Sequence, residues 1–161
     1  MNNKILVVDD DPAARKMLTL LLETTGEILL ASSGEEALRV IETHRPRLML
    51  LDMVMPGMGG LEVLAAARGA AAPMTIIMLT GENDVELAKR ALELGAAEYV
   101  TKPFDLRRLK ERVERSMAAV PGDDKNLGGV PWRTAETKDL SRKEGKGGGP
   151  VTGETPEVKI F

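Results

Sequence analysis

Lys4-Ile5-Leu6-Val7-Val8-Asp9-Asp10-Asp11-Pro12 passes in nine residues from an apolar run to three consecutive acids and then to a proline. Ile5 to Val8 is wholly apolar and partly β-branched, with no alternation. That pattern suits a strand covered on both faces, as strands are inside a parallel sheet. Asp11-Pro12 reads as an N-cap followed by the first helical residue. The helix beyond it should bury Ala14, Met17, Leu18, Leu21 and Leu22 and end near Gly26.

The same alternation continues downstream. Ile28-Leu29-Leu30 is a second strand. Ser33 and Glu36 have capping-box spacing and open a helix carrying Ala37, Leu38, Val40 and Ile41, which stops before Pro46. Leu48-Met49-Leu50-Leu51 is a third strand ending at Asp52, and Gly59-Gly60 leads into a helix over Leu61 to Arg68. Ile76-Ile77-Met78-Leu79 is a fourth strand, ending at Thr80. Asp84 can cap a helix bearing Val85, Ala88, Leu92 and Leu94 that closes at Gly95. Glu98-Tyr99-Val100-Thr101 is a fifth strand, followed by Lys102-Pro103. Asp105 caps a last helix with Leu106, Leu109, Val113 and Met117 as its apolar stripe. Five strands alternating with five helices predict an α/β fold, an open, doubly wound parallel sheet with helices on both faces. In such sheets ligands bind beyond the carboxyl ends of the strands. Asp9 and Asp10, Asp52, Thr80 and Lys102 all fall at such ends.

Length and composition narrow the function classes. With 161 residues, 43% hydrophobic and 29% charged, the chain suits one ordinary domain with a real core. Its formal net charge of -3 argues against a generally basic nucleic-acid binder, and no direct nucleic-acid contact is expected. The absence of cysteine rules out disulfides and thiolate metal sites. The N-terminus lacks the pattern of a secretory signal, and no segment approaches the ~20 apolar residues of a membrane span. The expected location is the cytoplasm, with no membrane partner. From Pro121 the sequence turns rich in Gly, Pro, Lys, Glu and Thr and loses periodicity. Residues 1–120 are therefore expected to form the domain, and 121–161 a largely disordered tail.

Three carboxylates converging at one sheet edge repel each other unless a cation or a proton sits among them. Mg²⁺ is a hard cation that takes a few carboxylates, waters and a phosphate oxygen. A carboxylate can also accept a phosphoryl group as an acyl phosphate. That chemistry asks mainly for positioning and for charge compensation, which Lys102 can share with a metal, while the Thr80 hydroxyl can bond a phosphate oxygen.

Val7-Val8-Asp9-Asp10, Asp52-Met53-Val54-Met55-Pro56-Gly57-Met58-Gly59-Gly60, Leu79-Thr80-Gly81 and Tyr99-Val100-Thr101-Lys102-Pro103-Phe104 together resemble the signature of response regulator receiver domains, in order and spacing. The resemblance spans about residues 3–119 and implies the flavodoxin-like strand order 2-1-3-4-5. It implies that Asp52 is the phosphoacceptor, that Asp10 binds Mg²⁺ directly and Asp9 through water, and that the Val54 backbone carbonyl is a further metal ligand. Lys102 would pair with the phosphoryl group ahead of a cis bond to Pro103. Thr80 would move toward the phosphate, with Tyr99 turning inward behind it. Asp11 remains the helix cap. The partners implied are a sensor histidine kinase or phosphotransfer protein and an output protein of unknown identity. Glu98 and Arg112 resemble one ion pair of the homodimers that some receivers form on phosphorylation, although the full set is not matched.

No helix-turn-helix, cyclase or ATPase pattern follows Met117, so the output is expected to be a protein contact, and no enzymatic turnover of an outside substrate is expected. The alternatives are a fragment of a larger regulator or hybrid kinase, a phosphatase with an aspartyl nucleophile, and a flavodoxin-like electron carrier. A phosphatase of the haloacid dehalogenase type carries a second acid two residues after its nucleophile, where this chain has Val54. A flavodoxin needs a Ser/Thr/Gly-rich phosphate loop after the first strand, where this chain has acids.

Overall fold

In the computed structural model, residues 2–69, 73–81 and 85–119 are described. They run β1 (Lys4–Val8), α1 (Pro12–Leu22), β2 (Glu27–Ala31), α2 (Gly34–His44), β3 (Leu48–Asp52), α3 (Gly60–Gly69), β4 (Thr75–Gly81), α4 (Val85–Glu93), β5 (Glu98–Lys102) and α5 (Leu106–Ala118). All four strand pairings are parallel, and the sheet order is β2-β1-β3-β4-β5. Chain order reverses beside β1: β2 pairs on one side of it, and β3 to β5 extend from the other. That reversal opens a crevice at the carboxyl ends of β1 and β3.

The sheet divides the interior into two half-cores. Leu6, Val8, Met49, Leu51, Ile76 and Met78 face α2, α3 and α4, whose Ala37, Ile41, Val63, Leu64 and Ala91 complete that side. Ile5, Val7, Leu48, Leu50, Ile77 and Leu79 face α1 and α5, meeting Leu18, Leu22, Leu109 and Val113. Alternate residues of one strand thus serve opposite layers, which is why β1, β3 and β4 read as continuous apolar runs. Each large side chain fully buried this way contributes ~1.5–3 kcal/mol.

Helix caps follow the sequence with one shift. Asp11 accepts from the Ala13 amide at 2.9 Å, and Asp105 from Arg108 at 3.0 Å. Ser33 accepts from the Glu36 amide at 3.2 Å, but Glu36 reaches back to the amide and hydroxyl of Ser32, at 2.7 and 2.8 Å, not to Ser33. Those two bonds hold the Glu36 carboxyl below the usual glutamate range. The α4 and α5 stripes differ from expectation. Ala88 and Ala91 form the buried line of α4, while Val85 is exposed. Small alanines let α4 lie close on the sheet, so its larger residues stay at the flanks. Leu106, expected in the α5 stripe, is exposed at the first helical position, one turn before Leu109 enters the core. Met17 is likewise exposed on α1. Asp84 and the segment 121–161 lie outside the described residues.

Candidate functional site

The site is built at the carboxyl ends of β1, β3, β4 and β5. Asp9 continues β1 by one residue, and its amide bonds the Ala31 carbonyl at 3.2 Å. One Asp9 carboxylate oxygen accepts from the Asp11 amide at 2.9 Å. The other lies 3.4 Å from Lys102 Nζ. Asp52 is the last residue of β3, with its Oδ1 3.2 Å from the same ammonium. Lys102 ends β5 in register with Gly81 of β4, so its side chain reaches across β4 toward β3 and β1. One oxygen each from Asp9, Asp10 and Asp52 lie within 4.8 Å of one another.

Burial makes this charge arrangement costly. Asp9 is 1% exposed and Asp52 8%, whereas Asp10 faces solvent. Desolvation first, and the Asp9 carboxylate second, push the Asp52 carboxyl above its ordinary pKa. Lys102 and the Val54 backbone amide pull it back only in part. Burial also works against the charged form of Lys102, but Asp52 and Asp9 outweigh it, and the pKa of Lys102 rises. Three carboxylates around one ammonium leave negative charge in excess. All-oxygen donors with one open, solvent-facing member could bind a hard divalent cation.

Thr80 is 1% exposed, and its hydroxyl donates only a long 3.4 Å bond to the Gly81 carbonyl. Tyr99 lies on β5, half-buried against the half-core under α2, α3 and α4, one layer below the strand ends. The side chain of Val54 points out, 66% exposed, in the loop after Asp52. Met53 and Met55 of that loop are buried in the same half-core, as packing residues. The Lys102-Pro103 peptide is cis. Lys102 therefore meets Asp9 and Asp52 directly, Asp10 converges with both acids, Thr80 lies near the end of the neighbouring β4, and Tyr99 lies in register with Met78.

Residues 5–114 match the family model described as response regulator receiver domain. The chain belongs to the response regulator receiver family. Among curated relatives, the alkaline phosphatase synthesis transcriptional regulatory protein PhoP of Bacillus subtilis is 40% identical over 129 residues, covering 77% of this chain and 54% of its own. The DNA-binding response regulator MtrA of Mycolicibacterium smegmatis is 41% identical over 114 residues, 70% of this chain and 50% of its own. The chain thus spans about half the length of the curated relatives it matches. Among solved structures, a CheY-like receiver domain protein from Methanospirillum hungatei superposes with a TM-score of 0.69 at 33% identity, covering 73% of this chain and 94% of that one. A response regulator from Chloroflexus aurantiacus gives 0.68 at 34%, covering 74% and 100%. The strand order of this receiver is the one the resemblance implied. No helix among its described residues is long and apolar enough to cross a membrane.

Two features of the receiver escaped sequence reading. Gly60 packs so tightly against the loop after Asp52 that a Cβ there would lie 2.8 Å from Met53 Cα and closer still to the Asp52 carbonyl oxygen. Arg15 donates from Nη1 to the Asp9 carbonyl at 2.7 Å and to that of Asp10 at 3.1 Å. A cation within the first helical turn is poorly placed for the helix dipole, and that misfit is the signal that marks it. Glu98 and Arg112, read as a cross-subunit pair, meet within one chain at 2.8 Å, with Glu98 buried.

Proposed function

We propose that this receiver is a phosphorylation switch in which Asp52 accepts a phosphoryl group from a sensor histidine kinase or phosphotransfer protein. The observation that carries the reading is the meeting of Asp9, Asp10, Asp52 and Lys102 at one crevice. An Asp52 oxygen attacks phosphorus, the bond to the donor's leaving group breaks, and that group departs with the electron pair. Mg²⁺, held by Asp9, Asp10, Asp52 and the Val54 carbonyl, would offset charge on the transferred oxygens. Lys102, already bonded to Asp52, supplies the remaining positive charge and turns from carboxylate to phosphoryl oxygen. The Thr80 hydroxyl, held only by its 3.4 Å bond, is free to donate to that oxygen. Tyr99 then follows Thr80 inward, and the face around β5 changes.

The output follows from a two-state bias: the phosphoryl group stabilises one arrangement of that face, and a partner protein reads it. A homodimer using Arg112 would have to share or break its internal pair with Glu98. The names of PhoP and MtrA tie those longer proteins to transcription and DNA binding. The elements of its described residues are those of the receiver fold alone, and for these we place the output in a protein contact, in the cytoplasm. The test is mass measurement after incubation with acetyl phosphate. A single phosphoryl adduct should form with Mg²⁺ and not with chelator. No adduct in either condition defeats the reading.

The lifetime of the acyl phosphate depends on how water approaches phosphorus. Val54 is exposed beside Asp52 and cannot hydrogen-bond a water, whereas an amide there can orient one for in-line attack. Glu82, two residues past the Thr80 hydroxyl, lies outside the described residues. Val54→Asn should shorten the lifetime roughly tenfold, about 1.4 kcal/mol of barrier. Loss of label from isolated phosphoprotein in saturating Mg²⁺ measures it, and an unchanged lifetime would mean that water is controlled elsewhere.

A further inference from the structure

Arg15 is half-buried in the first turns of α1, and its Nη1 spans the backbone carbonyls of the two acids that follow β1. Its own carbonyl is tied to the helix side through the Thr19 hydroxyl at 2.8 Å. One cation therefore links the segment after β1 to the start of α1. Arg15 makes no hydrogen bond to an Asp9 or Asp10 carboxylate, so it does not itself compete with a metal for those oxygens. From this geometry we infer that Arg15 is a positioning residue for the metal site: it fixes the backbone of Asp9 and Asp10 so that their carboxylates converge on Asp52.

This rests on the Mg²⁺-dependent reading above and makes a prediction of opposite sign to simple electrostatics. A positive charge near a cation site repels the cation, so removing it should tighten Mg²⁺ binding if charge were all that mattered. If Arg15 orders the loop, removing it weakens binding, as loss of groups that orient ligands commonly does by tenfold or more. Lysine keeps the charge, but its shorter reach and single nitrogen centre do not reproduce the planar fork.

The experiment is calorimetric titration of Mg²⁺ into the metal-free full chain, as wild type, Arg15→Gln, Arg15→Lys and Asp10→Ala, with melting temperature and the Asp11 amide resonance recorded alongside. The Asp11 amide bonds the Asp9 carboxylate at 2.9 Å and so reports on the loop without metal. We expect the Mg²⁺ Kd to rise roughly tenfold in Arg15→Gln, about 1.4 kcal/mol, with a shifted Asp11 resonance and partial recovery in Arg15→Lys. An equal or tighter Kd in Arg15→Gln, with the fold intact, overturns the inference while the metal site stands. Unfolding of Arg15→Gln passes the decision to Arg15→Lys, whose Kd must then exceed that of the wild type. No Mg²⁺ binding by the wild type overturns the metal reading and the inference together, and Asp10→Ala separates that case by losing affinity only when the site is real.

Discussion

Asp52→Asn protein should take up no phosphoryl label from acetyl phosphate and Mg²⁺, while the wild type should take up a single group. The amide keeps the shape of the side chain and its place at the end of β3, but offers no anionic oxygen to attack phosphorus. Labelling at the wild-type rate would move the acceptor elsewhere. The same substitution should also act on stability, with a definite dependence on pH. The Asp52 pKa is raised in the folded chain, chiefly by burial and then by Asp9. The folded state therefore holds its proton more firmly than the unfolded state does. Folding carries no penalty from this group below the unfolded pKa, and the penalty is complete once pH exceeds the folded value. Metal-free Asp52→Asn should thus melt above the wild type at neutral pH, and the gap should close in acid. A gap that widens in acid would contradict the assigned direction.

Gly60→Ala should destabilise this domain strongly, for a single added methyl at the start of α3. Gly60 is buried, and its new Cβ would meet backbone atoms of Asp52 and Met53 that cannot rotate away. Either the loop or the start of α3 must shift, at a cost of ~3 kcal/mol. For a domain of this size that is a fall of roughly 10–15 °C in melting temperature. Because the clash falls on the Asp52 backbone, phosphoryl uptake should slow as well. Gly57 provides the contrast. It has φ +73, but a Cβ there would meet only the end of Glu35 at 3.7 Å. Gly57→Ala should cost only the backbone penalty of about 1 kcal/mol. If both variants melted alike, close packing at Gly60 would not be the reason that glycine stands there.

The fold was readable because the strands that decide it are short, apolar on both faces and bounded by polar ends. β1, β3 and β4 could be placed within a residue or two for that reason. The helices were less transparent. In α4 the residues with the highest hydropathy are not the ones that touch the sheet, because closeness there favours Ala88 and Ala91. In α5, Leu106 has the right spacing but sits in the opening turn, ahead of the contact. At the site, the side chains that carry charge were visible as residues at strand ends. Contacts made to main-chain atoms leave almost no trace in sequence. Arg15 bonds carbonyls, which every residue possesses, and Gly60 matters for the atom it lacks. The Glu98–Arg112 pairing shows a further limit: spacing identifies two residues that can pair, but not whether they do so within one chain or between two.

The sheet order sets unequal local stability on the two ends of the central ion pair. Asp52 ends β3, a strand hydrogen-bonded on both sides, by β1 and by β4. Lys102 ends β5, an edge strand held by β4 alone. Partial opening of a protein begins where fewest bonds must break, so β5 can detach at a free energy well below that needed to disturb β3. The anion should thus sit in a more slowly exchanging part of the sheet than the cation. When the ammonium changes partner, the anchored end can hold its coordinates while the β5 edge yields, and Thr101, Val100 and Tyr99 yield with it.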